Sequence, residues 1–235
     1  MRNFLITGLV LSLSSFLTTA IGQPFLSDSN ARQLAVAQTI RAYHAYMGHQ
    51  SHIYTGIEHV PYLPLAKGQP YFAVDSLRSG DIVYDGILYE NVPMQYDLVR
   101  DMVMVRNHAG NYLCPANSSI QRFTLDGHVF VNTTNGFYDV LSSGKITIYA
   151  RRTKLIEEVI VGMELTRNII SRERYYRVDA NNVYTPVNTR SSLFALFGER
   201  KKEIRQYLRK NNINVRRNYE EALAKATQYY NQLSR

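Results

Sequence analysis

Residues 82–89 read Ile-Val-Tyr-Asp-Gly-Ile-Leu-Tyr, and residues 123–131 read Phe-Thr-Leu-Asp-Gly-His-Val-Phe-Val. In both stretches an Asp-Gly pair separates two short runs rich in β-branched and aromatic residues. Asp and Gly accept the positive φ angles of a type I′ turn, whose twist matches that of two paired strands. Both stretches therefore predict β-hairpins, and Asn135-Gly136 and Ser143-Gly144 indicate further turns at similar spacing.

Between Ile53 and Val187 the pattern of short runs and turn residues indicates about nine to eleven strands. Sequential strands joined by tight turns are usually neighbours in a sheet, so an antiparallel meander is expected. We predict an α+β fold that is mainly antiparallel β, with a meander or partly closed barrel or curved sheet, an N-terminal helix and a C-terminal helical hairpin.

The predicted helices are amphipathic. The first carries apolar residues at the helical positions Leu34, Ala37, Ile40, Tyr43 and Met47. Near the end of the chain a first helical stripe is interrupted by Gly198, and Asn218 and Glu221 form a capping-box pattern that opens a second helix. Packing of these two helices against the sheet or each other would bury their apolar faces.

The N-terminus has the pattern of a secretory signal peptide: Arg2, an apolar run, and small residues before Gln23. The apolar run is shorter than the roughly 20 residues that span a bilayer, so cleavage is favoured over a membrane anchor. We expect an exported protein, periplasmic, peripheral to the outer membrane, or secreted, with no transmembrane segment after signal removal. The expected organisation is a signal peptide at 1–22, an N-terminal helix at 23–50, a β domain at 51–190 and a helical pair at 191–235.

The composition of the chain limits the classes of function that the protein can have. The chain has 235 residues, of which 45% are hydrophobic, so it can bury a core, and its formal net charge is +8. One cysteine excludes an internal disulfide framework and zinc sites built from several cysteines. Outside the cytoplasm the natural partners of a basic protein are acidic glycans, anionic lipids or envelope proteins, so no nucleic acid partner is predicted.

Recognised catalytic motifs are missing from the sequence. It has no P-loop, no G-x-G-x-x-G and no G-x-S-x-G elbow, and the single Cys114 is interpreted as a buried, inert thiol. A glycan-directed hydrolase that uses Asp97 and Asp101 as paired carboxylates is the alternative function. A surface pairing of these acids with arginine is the simpler interpretation, so a protein without enzymatic activity is favoured.

Four of the six histidines fall between positions 44 and 59. His44, His49 and His52 are weak candidates for a metal site, since histidine is a common metal ligand. Their spacing matches no helical ligand pair, and scattered polar histidines are the simpler interpretation. No metal and no cofactor are predicted.

The chain has 18 tyrosines and no tryptophan. Tyrosine combines a flat apolar ring with a hydroxyl group, which suits glycan or protein binding, but it is also a good strand former. If tyrosines and arginines share a sheet face, they would bind a partner protein, glycan or lipid. The candidate binding residues are Tyr84, Tyr89, Tyr96, Tyr149, Arg151, Arg152, Arg172 and Arg174.

The stretch from Gly80 to Asp97, followed by residues 201–212, resembles uncharacterised secreted proteins of Gram-negative bacteria. The resemblance implies a location in the cell envelope. It implies no activity, cofactor or catalytic residue. The predicted function is therefore that of an exported, non-enzymatic envelope protein with a tyrosine-rich or basic binding face.

Overall fold

A computed structural model describes residues 28–47, 52–63, 67–107 and 109–233. The signal peptide predicted at 1–22 lies outside the described residues. The helices are α1 (Asp28–Met47), α2 (Arg190–Ala195), α3 (Lys201–Lys210) and α4 (Tyr219–Leu233). The strands are β1 (Ile57–Glu58), β2 (Arg78–Tyr84), β3 (Ile87–Asp97), β4 (Met102–Arg106), β5 (Tyr112–Cys114), β6 (Ile120–Leu125), β7 (His128–Thr133), β8 (Gly136–Ser142), β9 (Thr147–Val161), β10 (Glu164–Val178) and β11 (Tyr184–Pro186).

The predicted α+β fold with an antiparallel sheet is confirmed. All eleven strands form one sheet in the order β1-β5-β4-β3-β2-β6-β7-β8-β9-β10-β11. From β6 to β11 each strand pairs with the next one in sequence, which is the expected meander. No helix in the described part of the chain is long and apolar enough to cross a membrane.

The predicted Asp-Gly turns are also confirmed. Asp85 and Gly86 have φ angles of 49° and 77°, and Asp126 and Gly127 have angles of 49° and 80°. Both residues of each pair thus have the positive φ that a type I′ turn requires. The turns connect β2 to β3 and β6 to β7.

The sheet is curved and does not close into a barrel. Register shifts interrupt β2 after Gly80 and again after Val83, and β8 after Val140. Such bulges bend and twist a strand, which lets the sheet curl around its own side chains. The curl brings β9 to the end of β3, where the Lys154 amide donates to the Leu98 carbonyl over 3.0 Å.

Much of one face of the sheet is buried, whereas the outer end of the β9–β10 hairpin is exposed, as at Ile160 and Leu165. Inside the curl, the rings of Tyr96, Phe123, Phe130 and Phe137 pack with centroids 4.8 to 5.7 Å apart, and each of these residues is at most 1% exposed. Farther along, the same face is covered by the C-terminal helices. There Ile148 and Ala150 of β9 pack with residues such as Leu193, Ile204 and Leu223.

The C-terminal region has three helices, whereas the sequence predicted a pair. Thr189 caps α2 through a capping box with Ser192. The chain then turns at Gly198, whose φ of 51° is left-handed and ends the helical path before α3. Helices α3 and α4 form the expected hairpin.

Helix α1 is present near the N-terminus, as predicted. Leu34 and Tyr43 of its apolar stripe are both 57% exposed. The side chains of Ala37, Ile40 and Met47 lie outside the described residues.

Candidate functional site

Four tyrosines meet on the sheet face opposite the C-terminal helices. Tyr149 of β9 lies opposite Tyr176 of β10 and Val140 of β8, and Tyr138 lies two residues before Val140 on the same face. Tyr184 of β11 pairs with Val178, two residues after Tyr176. Because alternate residues of a strand share a face, the strands place these four rings side by side. We call Tyr138, Tyr149, Tyr176 and Tyr184 the tyrosine patch.

The rings of the tyrosine patch touch one another. Tyr138 lies 5.2 Å from Tyr184, 6.0 Å from Tyr176 and 6.2 Å from Tyr149, measured between ring centroids. Tyr138 is 6% exposed, and the other three are half-buried. Burial raises the pKa of both Tyr138 and Tyr149, so their hydroxyl groups stay protonated at neutral pH and can donate hydrogen bonds.

A groove of about 650 Å³ opens beside the patch, and Tyr149 and Tyr184 form part of its wall. We call it the tyrosine groove. Its lining residues are Ser118, Ile120, Gln121, Val131, Asn132, Thr133, Thr134, Tyr149, Asn182 and Tyr184. These are aromatic, apolar, hydroxyl and amide side chains, and none of the ten is charged. The volume is within the usual range for small-molecule pockets.

Some polar groups of the tyrosine groove are occupied by the fold. Asn132 donates to the carbonyls of Asn117 and Ile120 over 2.7 and 2.8 Å, and the Thr133 hydroxyl donates to the Gly136 carbonyl over 2.8 Å. These bonds hold the floor of the groove in place. Other groups have no hydrogen-bond partner among the described residues, namely the side chains of Ser118, Thr134, Tyr149, Asn182 and Tyr184.

Asn182 reaches the groove because a tight turn fixes its backbone. The Asp179 carboxylate accepts hydrogen bonds from the amides of Asn181 and Val183, each 2.9 Å long. The Asn182 amide donates to the Asp179 carbonyl over 3.1 Å, and Asn182 itself has a φ of 59°. Asparagine tolerates this left-handed conformation better than most residues. Its free carboxamide is therefore presented from a defined position.

Three of the candidate arginines share the face of the tyrosine patch. Arg174 lies opposite Arg151, and Arg172 lies opposite Thr153. Arg172 and Arg174 are exposed, and neither forms an ion pair within the described ranges. Arg151 differs, since it donates to both carboxylate oxygens of Asp101 over 3.0 and 2.8 Å and to the Phe137 carbonyl over 2.7 Å. It is therefore engaged in holding the fold.

Arg152 points to the opposite, buried face. Its guanidinium donates to Asp139 and Glu220 over 2.7 Å each and to Glu173 over 3.0 Å. Asp139 also bonds the His128 ring over 2.8 Å, and this hydrogen bond raises the pKa of His128. We call these five residues the Arg152 network. It lies between the aromatic interior and the helical layer, since Asp139 pairs with Phe130 on one side and Ala150 on the other.

The interior of the sheet contains the other three candidate tyrosines. Tyr84, Tyr89 and Tyr96 are 3%, 7% and 1% exposed and belong to the buried cluster inside the curl. A partner in solution does not reach these rings while the protein is folded. Of the candidate binding residues, the structure thus brings together Tyr149, Arg151, Arg172 and Arg174 on one face.

Asp97 and Asp101 have separate hydrogen-bond partners. Asp97 is 1% exposed and accepts from the Tyr62 hydroxyl over 2.6 Å and from the amides of Val99 and Arg100 over 2.9 and 3.0 Å. Asp101 accepts from the Tyr96 hydroxyl and pairs with Arg151. The fold uses both carboxylates to fix the turn between β3 and β4.

Of the three candidate metal ligands, only His52 has a described side chain. Its Nδ1 atom lies 3.2 Å from a carboxylate oxygen of Asp85. His49 and the side chain of His44 lie outside the described residues. Among the described residues no group of three His, Cys, Asp or Glu side chains is placed to hold a metal ion.

Sequence reasoning did not single out Tyr138, Tyr176, Tyr184 or Asn182 as site residues. Alternation within each strand does predict that Arg174 and Tyr176 share a face of β10, and that Tyr149 and Arg151 share a face of β9. The sequence does not predict the register between β9 and β10, which puts both pairs on the same face of the sheet.

Comparisons of the chain with protein-family models, with curated proteins and with solved structures gave no match.

Proposed function

We propose that this chain is an exported, non-enzymatic protein that binds a carbohydrate in the tyrosine groove. The observation that carries the proposal is the lining of that groove: two tyrosine rings beside amide and hydroxyl groups, without a charged side chain. A sugar presents an apolar ring face surrounded by hydroxyl groups. Tyrosine rings match the face, and amides and hydroxyls match the rim.

The available polar groups support a glycan over an apolar ligand. The hydroxyls of Tyr149 and Tyr184 and the side chains of Asn182, Thr134 and Ser118 have no partner in the described part of the chain. An apolar ligand would remove these groups from water without replacing their hydrogen bonds, which costs free energy. A sugar replaces those bonds because each of its hydroxyls both donates and accepts.

Arg172 and Arg174 lie on the sheet face that carries the tyrosine patch, and they add positive charge to it. A glycan chain that leaves the groove across the tyrosine patch would pass them. Acidic sugars would therefore bind more tightly than neutral ones, and the difference would shrink at high salt because exposed charges are screened.

The test is binding of short oligosaccharides, neutral and acidic, measured by isothermal titration calorimetry. Tyr149→Ala and Tyr184→Ala should each weaken binding about tenfold, since loss of an aromatic contact costs on the order of 1.4 kcal/mol. Tyr112→Ala is the matched control, because Tyr112 is an exposed tyrosine on β5 that does not line the groove. It should bind as the unchanged protein does.

Two outcomes would contradict the proposal. One is the absence of binding to every oligosaccharide, and the other is an equal loss of affinity in Tyr112→Ala. Mass spectrometry of the oligosaccharides after incubation tests the non-enzymatic part. Shortened chains would favour the alternative of a glycan-directed hydrolase.

A further inference from the structure

A second pocket, separate from the tyrosine groove, lies among the C-terminal helices. It has a volume of about 430 Å³ and contains four arginine side chains in its lining. The lining residues are Arg190, Phe194, Arg205, Leu208, Arg209, Ile213, Asn214, Val215 and Arg216. We call it the arginine pocket.

The local structure of three segments explains how the arginines meet. Arg190 is the first residue of α2, and Arg205 and Arg209 lie one turn apart on α3. The residue before each of them on α3, Ile204 and Leu208 respectively, belongs to the buried core and is 0% or 2% exposed. Arg216 belongs to the loop before α4, where its amide donates to the Asn214 side chain over 2.9 Å.

The positive charge of this pocket is uncompensated. No Asp or Glu is among its lining residues, and none of the four guanidiniums forms an ion pair within the part of the chain that the structure describes. Several arginines elsewhere in the fold do pair with carboxylates: Arg151 with Asp101, Arg152 with three carboxylates and Arg167 with Glu158. Four like charges around one pocket repel each other, and a bound anion would relieve that repulsion.

A buried aromatic ring forms a rigid floor. Phe194 is 3% exposed, and the guanidinium carbons of Arg205 and Arg190 lie 4.8 and 5.9 Å from its ring centroid. Guanidinium groups are attracted to the face of an aromatic ring, which restricts where they can go. The ring thus positions two of the four positive groups before any ligand arrives.

We propose that the arginine pocket binds a phosphate group. A guanidinium fork matches the oxygens of phosphate in a two-pronged geometry, and several forks can share one phosphate. A single carboxylate offers one negative charge and two oxygens, which is a poor match for four guanidiniums. This chemistry is shared by soluble phosphates and by the phosphate headgroups of lipids.

The test uses inorganic pyrophosphate as a soluble probe and isothermal titration calorimetry with the full chain. The double variant Arg205→Gln and Arg209→Gln should bind at least about tenfold more weakly, because charge-assisted hydrogen bonds are lost. The matched control is Lys202→Gln with Lys225→Gln, which removes the same charge from exposed positions of α3 and α4 that line neither the arginine pocket nor the tyrosine groove. Circular dichroism confirms that both variants are folded.

A second arm uses vesicles of phosphatidylcholine with and without phosphatidic acid. Binding to acidic vesicles that requires Arg205 and Arg209 assigns the site to lipid phosphate. Binding of pyrophosphate alone, with the same requirement, assigns it to a soluble phosphate. Two results overturn the proposal: no binding in either arm, or an equal loss of binding in the Lys202 and Lys225 control, which would show that net charge alone is responsible. Because none of these variants touches the tyrosine groove, the outcome is independent of glycan binding.

Discussion

At the scale of single residues, Arg152 carries a positive charge that the fold buries. Its side chain is 8% exposed and contacts three carboxylates that belong to β8, β10 and α4. A buried charge is tolerated only where opposite charges and hydrogen bonds compensate it. Here the compensation comes from residues that are far apart in sequence, such as Glu220, which lies 68 positions after Arg152.

Removing the guanidinium should therefore be costly. Arg152→Met keeps much of the side-chain volume but takes the guanidinium away from Asp139, which is 1% exposed and would keep its bond to the His128 ring. Loss of one partner from a buried ion pair typically destabilises by about 3–5 kcal/mol. Urea unfolding followed by circular dichroism measures the change in the free energy of unfolding.

Arg167→Met is the control for that measurement. Arg167 pairs with Glu158 over 2.8 Å, but the two side chains are 27% and 53% exposed. Exposed pairs contribute about 0–1 kcal/mol, so this variant should stay close to the unchanged protein. Equal effects of the two substitutions would show that burial of the Arg152 network is unimportant for stability.

At the scale of elements, the hairpins were predictable and the contacts between elements were not. The Asp85-Gly86 and Asp126-Gly127 turns specify backbone angles locally, so two residues are enough to place a hairpin. Which face becomes the interior depends on how the sheet curls. Tyr84, Tyr89 and Tyr96 therefore looked like binding residues in the sequence although the curl buries them.

The arginine pocket likewise depends on contacts between elements that the helical pattern does not predict. The amphipathic pattern of α3 predicts that Arg205 and Arg209 face solvent. Their meeting with Arg190 and Arg216 depends on the turn at Gly198 and on the loop before α4, which bring three segments together. Spacing within one helix carries no information about such a meeting.

One side chain connects the end of α4 to the turn between β8 and β9. Asn231 accepts from the Ile146 amide over 2.8 Å and donates to the Ile146 carbonyl over 2.9 Å and to the Ser142 hydroxyl over 3.1 Å. Asn231→Ala would leave the polar backbone groups of Ile146, which is 4% exposed, without these partners. We expect a loss of about 1–3 kcal/mol.

Hydrogen exchange of the backbone amides shows where in the fold Asn231→Ala lowers stability. The Ile146 amide should exchange faster in Asn231→Ala, because its acceptor is gone. Gln232→Ala, at the exposed next position, should leave both exchange and stability unchanged. Unchanged protection of Ile146 in Asn231→Ala would show that the docking of α4 does not depend on this side chain.

At the scale of the whole molecule, packing and polar contacts hold the described fold without a disulfide. The single cysteine, Cys114 on β5, is free and 5% exposed. Its sulfur lies 4.0 Å from the His59 Nδ1 atom, and cysteine with histidine is the pair of residue types that nucleophilic sites use, but burial raises the pKa of the thiol. A raised pKa keeps the sulfur protonated at neutral pH, and the thiolate is the reactive form.

The rate at which the Cys114 thiol reacts should therefore measure how readily the protein unfolds. Labelling by iodoacetamide, followed by mass spectrometry, should be slow in buffer and should accelerate with urea in parallel with the unfolding transition, because the thiol reacts only from opened states. In Arg152→Met, which is expected to be less stable, the Cys114 thiol should be labelled faster than in the unchanged protein. Fast labelling of the unchanged protein in buffer would contradict this, since it would require a thiolate that solvent reaches in the native state. Slow native labelling would instead establish that proximity to His59 does not activate this cysteine.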